Sequence, residues 1–372
     1  MSTRIDRRRF LAGSAGVAAL LASPGCAYLT PKLQAVATEP VKPRIDGDLV
    51  YFNWADYVHP TVFEGFAREY GVKVIQSNFD SMESMQAKLS AGNCYDIIFP
   101  SAQWVQKMVA ANQLRVIDPS TLKNASLIFD HYSYFRDPWY DRHSAHSIPF
   151  TMYKTGIAWR KDKLGETLPG SWSDLWNEAS KGHTFVLADR NEVLGMLALL
   201  LGYDLNTAED RQLAAMVRKF RGLRPYLRGF SSDDYNNLLS GDAWMHQTWS
   251  GDIAALLRQA PDPSIYGFEA PKEGAPINTD AYAIPVNARH PGTALLFIDY
   301  MLRPENVRKN IDHIGYPMPV HGTEDTYAQI VAAFPSCAVT VEDLSRNLFY
   351  ANNTVAKTQA RDAAYTELTV GG

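Results

Sequence analysis

From residue 48 onward the chain alternates between two hydrophobic periods. "DLVYFN" reads as a short apolar strand. "TVFEGFAREYG" places Val62, Phe63, Phe66 and Tyr70 on one helical face and stops at Gly71. "VKVIQSNF" alternates as a strand, and "MESMQAKLSAGN" is a helix entered from the cap-like pair Asp80-Ser81. "YDIIFP" is a continuous apolar run, the pattern of a strand covered on both faces. "SAQWVQKMVAANQL" is a helix with Ser101 as its N-cap. Strand–helix alternation with short connections predicts a parallel, doubly wound α/β sheet.

A second set follows. "HSIPFTMYKTGIAWRKD" is another apolar strand region, and "SWSDLWNEAS" a capped helix. "HTFVLAD" and "AWMHQTW" read as strands; "NEVLGMLALLLGY", "DDYNNLLSGD" and "DIAALLRQ" read as helices. "NTDAYAIPVNA" is an extended segment leading back to the first set, before the helices "GTALLFIDYML" and "PENVRKNIDHIG". No internal repeat or low-complexity stretch interrupts this order. At 372 residues the chain has room for about two domains, and a core of that size needs no disulfide staples.

The N-terminus has a different character. "DRRRFLAGSAGVAALLASPGC" has a basic start, an apolar run from Phe10 to Ala22 and small residues after it, the form of an export signal rather than a membrane span. Arg7, Arg8 and the following Phe10-Leu11 resemble the twin-arginine motif; a generic basic start for the Sec route is the other reading. "SPGC" resembles a lipoprotein box that would acylate Cys26, although Ser23 stands where such boxes have leucine. "AVA", Ala35 to Ala37, fits cleavage to a free form. Residues 1–37 are therefore expected to be a signal and linker segment, and the mature protein to be periplasmic. They carry Arg4, Arg7, Arg8, Arg9 and Lys32 against the single acid Asp6, so their removal takes the net charge from −4 to −8. An acidic protein repels nucleic acid and attracts cations. Cys94 and Cys337 are far apart without metal-type spacing, and separate buried thiols are expected.

The polar and aromatic residues at strand ends carry the candidate chemistry. In doubly wound sheets ligands bind beyond the carboxyl ends of the strands. Trp54, Asp56 and Tyr57 stand at the first such end, with Asn78 and Ser101 at the next two. Asp189 and Glu192 follow "HTFVLA", Trp249 and Asp252 follow "AWMHQT", Asp280 lies at the return crossing, and Tyr316 sits in "HIGYPMP". Taken singly, the acids have plainer roles: "DRNE" has capping-box spacing, and Asp252 suits an N-cap. Taken together, they suit an organic cation. An ammonium leaving water costs several kcal/mol unless its charge is paired. A ring face adds roughly 0.5–2 kcal/mol of cation–π attraction. Tryptophan and tyrosine also give flat apolar walls for methylenes.

Enzymatic signatures are missing from the sequence: no G-x-S-x-G elbow, P-loop, H-E-x-x-H or Cys–His pattern occurs. "HSAH", His143 to His146, has metal-like spacing but sits in a polar stretch that reads as a solvated loop. No cofactor or metal is expected.

With these residues in view, the chain resembles the polyamine-binding proteins, for spermidine and putrescine, of bacterial ABC importers. The resemblance runs through "YFNWADYVHP", "YDIIFPSAQWVQKM", "SWSDLW", "DRNEV", "WSGD", "TDAYAIP", "LRPENV" and "IGYPMP". It implies a type II periplasmic binding protein with two α/β lobes closing on a ligand. The first lobe is expected at residues 46–153 and 279–324, the second at 154–278 and 325–372. It further implies that Trp54, Asp56, Tyr57, Ser101, Asp189, Glu192, Trp249, Asp252, Asp280 and Tyr316 touch the ligand. Leu348 is a looser match at the far end. Asp252 is similar to the acid of putrescine-type members. The chain departs from the family pattern at Ala55, Gln103 and Asn278, where those proteins carry a hydroxyl or an aromatic. The expected partners are a polyamine and an inner-membrane permease, with no nucleic acid, and the expected state is a monomer. Another organic cation such as agmatine or cadaverine, a sensor, and an enzyme on the same scaffold are the competing readings. Sugar sites use aromatics with fewer acids, and amino-acid sites need a base for the carboxylate.

Overall fold

The computed structural model describes residues 39–128, 133–351 and 353–370. The export motif, Cys26 and the Ala35–Ala37 site lie outside the described residues.

The first half builds as the hydrophobic pattern dictates. β1 (Leu49–Trp54) is followed by α1 (Pro60–Tyr70), which buries Val62, Phe63 and Phe66 and ends at Gly71 with φ 66°. β2 (Val74–Phe79), α2 (Met82–Ser90), β3 (Ile97–Ile98) and α3 (Ala102–Ala110) follow. β1 pairs in parallel with β2 on one side and β3 on the other. Ser81 caps α2 by accepting from Ser84 N. Ser101 occupies the cap position of α3, but its side chain makes no capping bond, which corrects the role expected for it.

β4 (Ser147–Arg160) is a single strand of 14 residues, buried along nearly its whole length. Beyond it lie β5 (Thr184–Val186), α4 (Arg190–Leu200), α5 (Asp210–Arg221), β6 (Leu227–Phe230), α6 (Asp234–Ser240), β7 (Met245–Trp249), α7 (Ser250–Gln259) and β8 (Tyr266–Glu269). "SWSDLWNEAS" forms two short 3-10 turns rather than an α-helix, although the Ser171–Asp174 capping box is complete. β9 (Ile277–Ala283) then returns, followed by α8 (Pro291–Met301), α9 (Pro304–Ile314), α10 (Glu324–Ala333) and α11 (Val355–Val370).

The strand order is β2-β1-β3-β9-β4-β7-β5-β6, with β8 also on β4. The β1–β3 and β5–β7 groups are parallel, whereas β9 and β4 run antiparallel to their neighbours. The sheet is thus mixed where a purely parallel one was expected, because the strands that cross between the two groups must run against them. β4 serves both. Residues 147–154 pair with β9, and residues 155–160 pair with β7 and β8. The two sheets therefore meet end to end through one strand. A separate apolar cluster around Trp172, Leu194, Met216 and Phe220 covers the β5–β6 side.

Cys337 is a buried free thiol, and burial pushes it up to about 12. Cys94 is half-buried rather than fully buried, and with Cys337 free the two cysteines do not pair with each other.

Candidate functional site

The parallel strands of both groups point their carboxyl ends toward the β4–β9 crossing. β1 ends at Trp54, and the chain turns through Asp56, held at φ 53°, a left-handed conformation that aspartate tolerates. The turn sends Tyr57 back under the sheet. Its ring lies edge-on to Phe150 and to Tyr316, at 5.5 Å in each case. Its hydroxyl donates to Asp280 Oδ2 at 2.9 Å and lies 3.3 Å from Thr151 Oγ1. Asp280 sits on β9 opposite Thr151, where the β4–β9 register slips, and bridges to Ser101. Only 3% of Asp280 is exposed, and burial pushes its carboxyl up to about 7 against the pull of the Tyr57 hydroxyl.

A second acid, half-buried, stands nearby. Asp252 lies in the first turn of α7 and accepts the Tyr316 hydroxyl at 2.9 Å. The cap position of α7 falls at Trp249, which excludes the N-cap role considered for Asp252. Burial first, then the charge of Asp234, push the Asp252 carboxyl well up, and Asp280 adds to the effect.

Glu192 marks the other end. It is 2% exposed, accepts Trp249 Nε1 at 3.2 Å and Tyr350 hydroxyl at 2.8 Å, and is pushed up to about 7 by burial and by Asp189. Asp189 caps α4, accepting from Asn191 N at 2.7 Å and Glu192 N at 3.0 Å. Half of the proposed capping box is therefore present, and the Glu192 side chain turns to the aromatic pair.

The aromatic walls come from both sheets. Trp54 and Trp249 face each other with ring centroids 6.4 Å apart. Tyr153 lies 6.1 Å from Trp249 and 5.7 Å from Tyr316. The predicted residues thus gather in one place with a single outlier: the Asp56 side chain is 81% exposed at the rim and pairs with His313 Nε2 at 2.9 Å. Among the described residues, Ser101 Oγ and Gln103 Oε1 are buried without a hydrogen-bond partner. Nearby, a cavity of about 10 Å³ is lined by Trp139, Tyr140, Asn278 and Phe349, room for about one water. A larger cavity of about 320 Å³ lies elsewhere, between Leu122, Phe135, Arg136 and His143. It has a basic lining and no acid, the wrong electrostatics for a cation.

Three residues of this region escaped the sequence reading. Tyr153 is an aromatic inside an apolar strand, yet its hydroxyl feels both Asp280 and Glu192. Tyr350 reaches Glu192, two positions beyond Leu348, which packs on the β5–β6 core instead. Asp234 opens α6 as one of two consecutive aspartates. His143 and His146 bond to Asp137 and Asp141 in the loop before β4. No cluster of potential metal ligands occurs among the described residues.

Two α/β lobes, joined through crossing strands and meeting over buried acids and aromatic rings, define a solute-binding receptor. The chain belongs to the bacterial extracellular solute-binding protein family, whose profile matches residues 61–332. It is 34% identical over 274 residues to the spermidine/putrescine-binding periplasmic protein of Escherichia coli, covering 73% of this chain and 77% of that one. It is 28% identical over 340 residues to a putrescine-binding periplasmic protein of Pseudomonas aeruginosa, covering 86% and 91%. Among solved structures, a putative spermidine/putrescine ABC transporter from Listeria monocytogenes superposes with a TM-score of 0.81 at 26% identity, covering 88% and 100%. A lipoprotein of Treponema pallidum superposes at 0.74 with 25% identity, covering 87% and 99%.

Proposed function

We propose that this chain is the receptor of an ABC importer, which captures a linear polyamine, putrescine or spermidine, and hands it to the membrane permease. The observation that carries the reading is the spacing of charge in the buried site. Asp280 and Asp252 are held by the Tyr57 and Tyr316 hydroxyls, Glu192 by Trp249 Nε1 and the Tyr350 hydroxyl, and the Tyr153 ring stands between, 5.7 Å from Tyr316 and 6.1 Å from Trp249. A diamine places an ammonium at each end and its methylenes against Trp54, Tyr57, Trp249 and Tyr316. Ser101 and Gln103 supply the free acceptors a further N–H group would use. The names of the relatives at 28–34% identity support the same ligand class.

The reading makes the protein a carrier rather than a catalyst, acting as a monomer without nucleic acid. The lobes are residues 46–153 with 279–324, and 154–278 with 325–372. The change of β4 partner from β9 to β7 between Lys154 and Thr155 supports the first boundary. No described helix is long and apolar enough to cross a membrane. The leader carries the chain outward by the twin-arginine or Sec route. Acylated Cys26 would anchor it, cleavage after Ala37 would release it, and the mass of the mature protein separates the two.

Asn278, 5% exposed where related receptors place an aromatic ring, favours a second reading with a more polar cation such as agmatine. Calorimetric titration with putrescine, spermidine, cadaverine and agmatine decides between them. Binding of none of the four would sink both readings.

A further inference from the structure

We infer that Asn206, on the loop between α4 and α5, is a positioning residue that sets Glu192 for the ligand by acting through Tyr350. The inference rests on the receptor reading above and adds to it the contacts that fix one of the binding acids.

Glu192 is held by two aromatic donors. Trp249 Nε1 reaches its Oε1 at 3.2 Å, and the Tyr350 hydroxyl reaches its Oε2 at 2.8 Å. The plane of the carboxylate is thereby fixed, while each oxygen keeps a lone pair for an ammonium. Trp249 is anchored as the last residue of β7. Tyr350 lies on the connection into α11, outside helix and strand alike, so its direction needs another support.

That support comes from two sides. Ile277 N, at the start of β9, donates to Leu348 O at 2.9 Å, and Phe349 bridges in parallel to Ile277. From the other side the Asn206 amide spans the backbone around Tyr350. Its Nδ2 donates to Phe349 O at 2.9 Å, and its Oδ1 accepts Ala351 N at 2.9 Å. One side chain therefore takes both the carbonyl before Tyr350 and the N–H after it. The tyrosine is 2% exposed, and its hydroxyl passes over Gly195, one turn beyond Glu192 on α4, where a Cβ would come within 2.8 Å of it.

The Asn206 loop is itself pinned. Asn206 N donates to Asp204 Oδ1 at 2.8 Å. The carbonyls on either side of it, Leu205 O and Thr207 O, accept from Arg361 Nη1 at 3.4 and 2.8 Å. Arg361 is 1% exposed and belongs to α11, the helix into which Tyr350 leads. The contacts thus run in a closed circuit from the connection through α11, Arg361 and Asn206 back to the connection. Loss of the Asn206 amide opens the circuit, Tyr350 drifts from Glu192, and the carboxylate is left to turn about its one remaining donor. A carboxylate with several orientations must be ordered again when the ammonium arrives, and affinity falls.

A double-mutant cycle tests this. Mature parent, Asn206→Ala, Tyr350→Phe and the double variant are titrated with putrescine by calorimetry, and each is melted without ligand. Tyr350→Phe keeps the ring and deletes the donor, and should weaken binding about tenfold. Asn206→Ala should weaken it about three- to tenfold in the parent. In the Tyr350→Phe background the same change should cost less than about twofold, because the bond it protects is already gone. A merely structural Asn206 predicts a lower melting temperature with parent-like affinity, or the same fold loss in both backgrounds, and either result overturns the inference. Parent-like binding by Tyr350→Phe overturns it as well. If Asn206→Ala does not fold, Asn206→Asp, which keeps the acceptor for Ala351 N but turns an acceptor toward Phe349 O, goes through the same cycle under the same criterion. If the parent binds no amine, the receptor reading fails and this inference with it.

Discussion

The phenol of Tyr57 donates a 2.9 Å hydrogen bond to Asp280, tying the turn after β1 to the returning strand β9. That bond aims a carboxylate which the protein has little other means to neutralise. Asp280→Asn keeps the shape and can keep the Tyr57 contact, but removes the charge. We expect putrescine binding to weaken by about 2–5 kcal/mol, the cost of breaking a desolvated charge pair on one side. The empty variant should melt at the same or a higher temperature than the parent at pH 8, because the burial cost is gone. Calorimetry and thermal melts read the two effects separately. Parent-like affinity would mean that Asp280 lies outside the site.

The same burial predicts how the empty protein responds to pH. Asp280 and Glu192 are both pushed up to about 7 in the folded state. Between about pH 4 and 7 the folded protein therefore binds more protons than the unfolded chain. Stability is full below the unfolded value and is lost as pH rises through the folded one. Glu192 accounts for up to about 3 kcal/mol and Asp280 for up to about 4 kcal/mol. The melting temperature of the empty protein should fall by several degrees between pH 5 and 8, and saturating putrescine should flatten the curve. A rise over that window in the empty protein would contradict the burial of these acids.

Much of this was legible in the sequence, for a physical reason. Val62, Phe63 and Phe66 repeat at helical spacing because one face must be buried, and "YDIIFP" is apolar throughout because both faces are covered. Trp54, Asp280 and Tyr316 stood out as large or charged residues at strand ends. Other features depended on three-dimensional contact. Asp189 and Asp252 had equal claims as caps; only the geometry makes the first a cap and frees the second. Asp234 is one acid at a helix start, and nothing local reveals that it accepts from Thr248 and Trp249 at the end of β7. The antiparallel crossing of β9 and β4 is likewise a property of the return path rather than of either segment's pattern.

Gly251 gives a test of how tightly the site is built. Its missing side chain leaves room for the Tyr316 ring, and an alanine Cβ would fall 2.1 Å from that ring. The ring is also wedged against Tyr57 and Tyr153. Gly251→Ala should therefore displace Tyr316, break its bond to Asp252 and destabilise the fold by about 1–3 kcal/mol. Adding Tyr316→Ala restores space, so the double variant should recover stability without recovering putrescine affinity. Additive losses in stability would show that the two residues are not in contact.

Trp54 and Trp249 belong to different sheets, yet their rings stand 6.4 Å apart. They belong to β1 and β7, which lie on opposite sides of the β9–β4 crossing, and neither sheet alone can enclose the acids. Their proximity therefore describes a closed arrangement, and an empty cleft that gathers four carboxylates repels itself. Ligand should shift the population toward closure, because only the closed form desolvates and pairs the cation. Small-angle scattering should give a smaller radius of gyration with saturating putrescine than without it. Trp249→Phe should weaken binding by roughly 1–2 kcal/mol, since it shrinks a ring wall and removes the 3.2 Å donor to Glu192. Asp56→Asn, at the exposed rim, should change affinity less than either Trp249→Phe or Asp280→Asn. Identical scattering profiles with and without saturating ligand would show that closure does not depend on the cation.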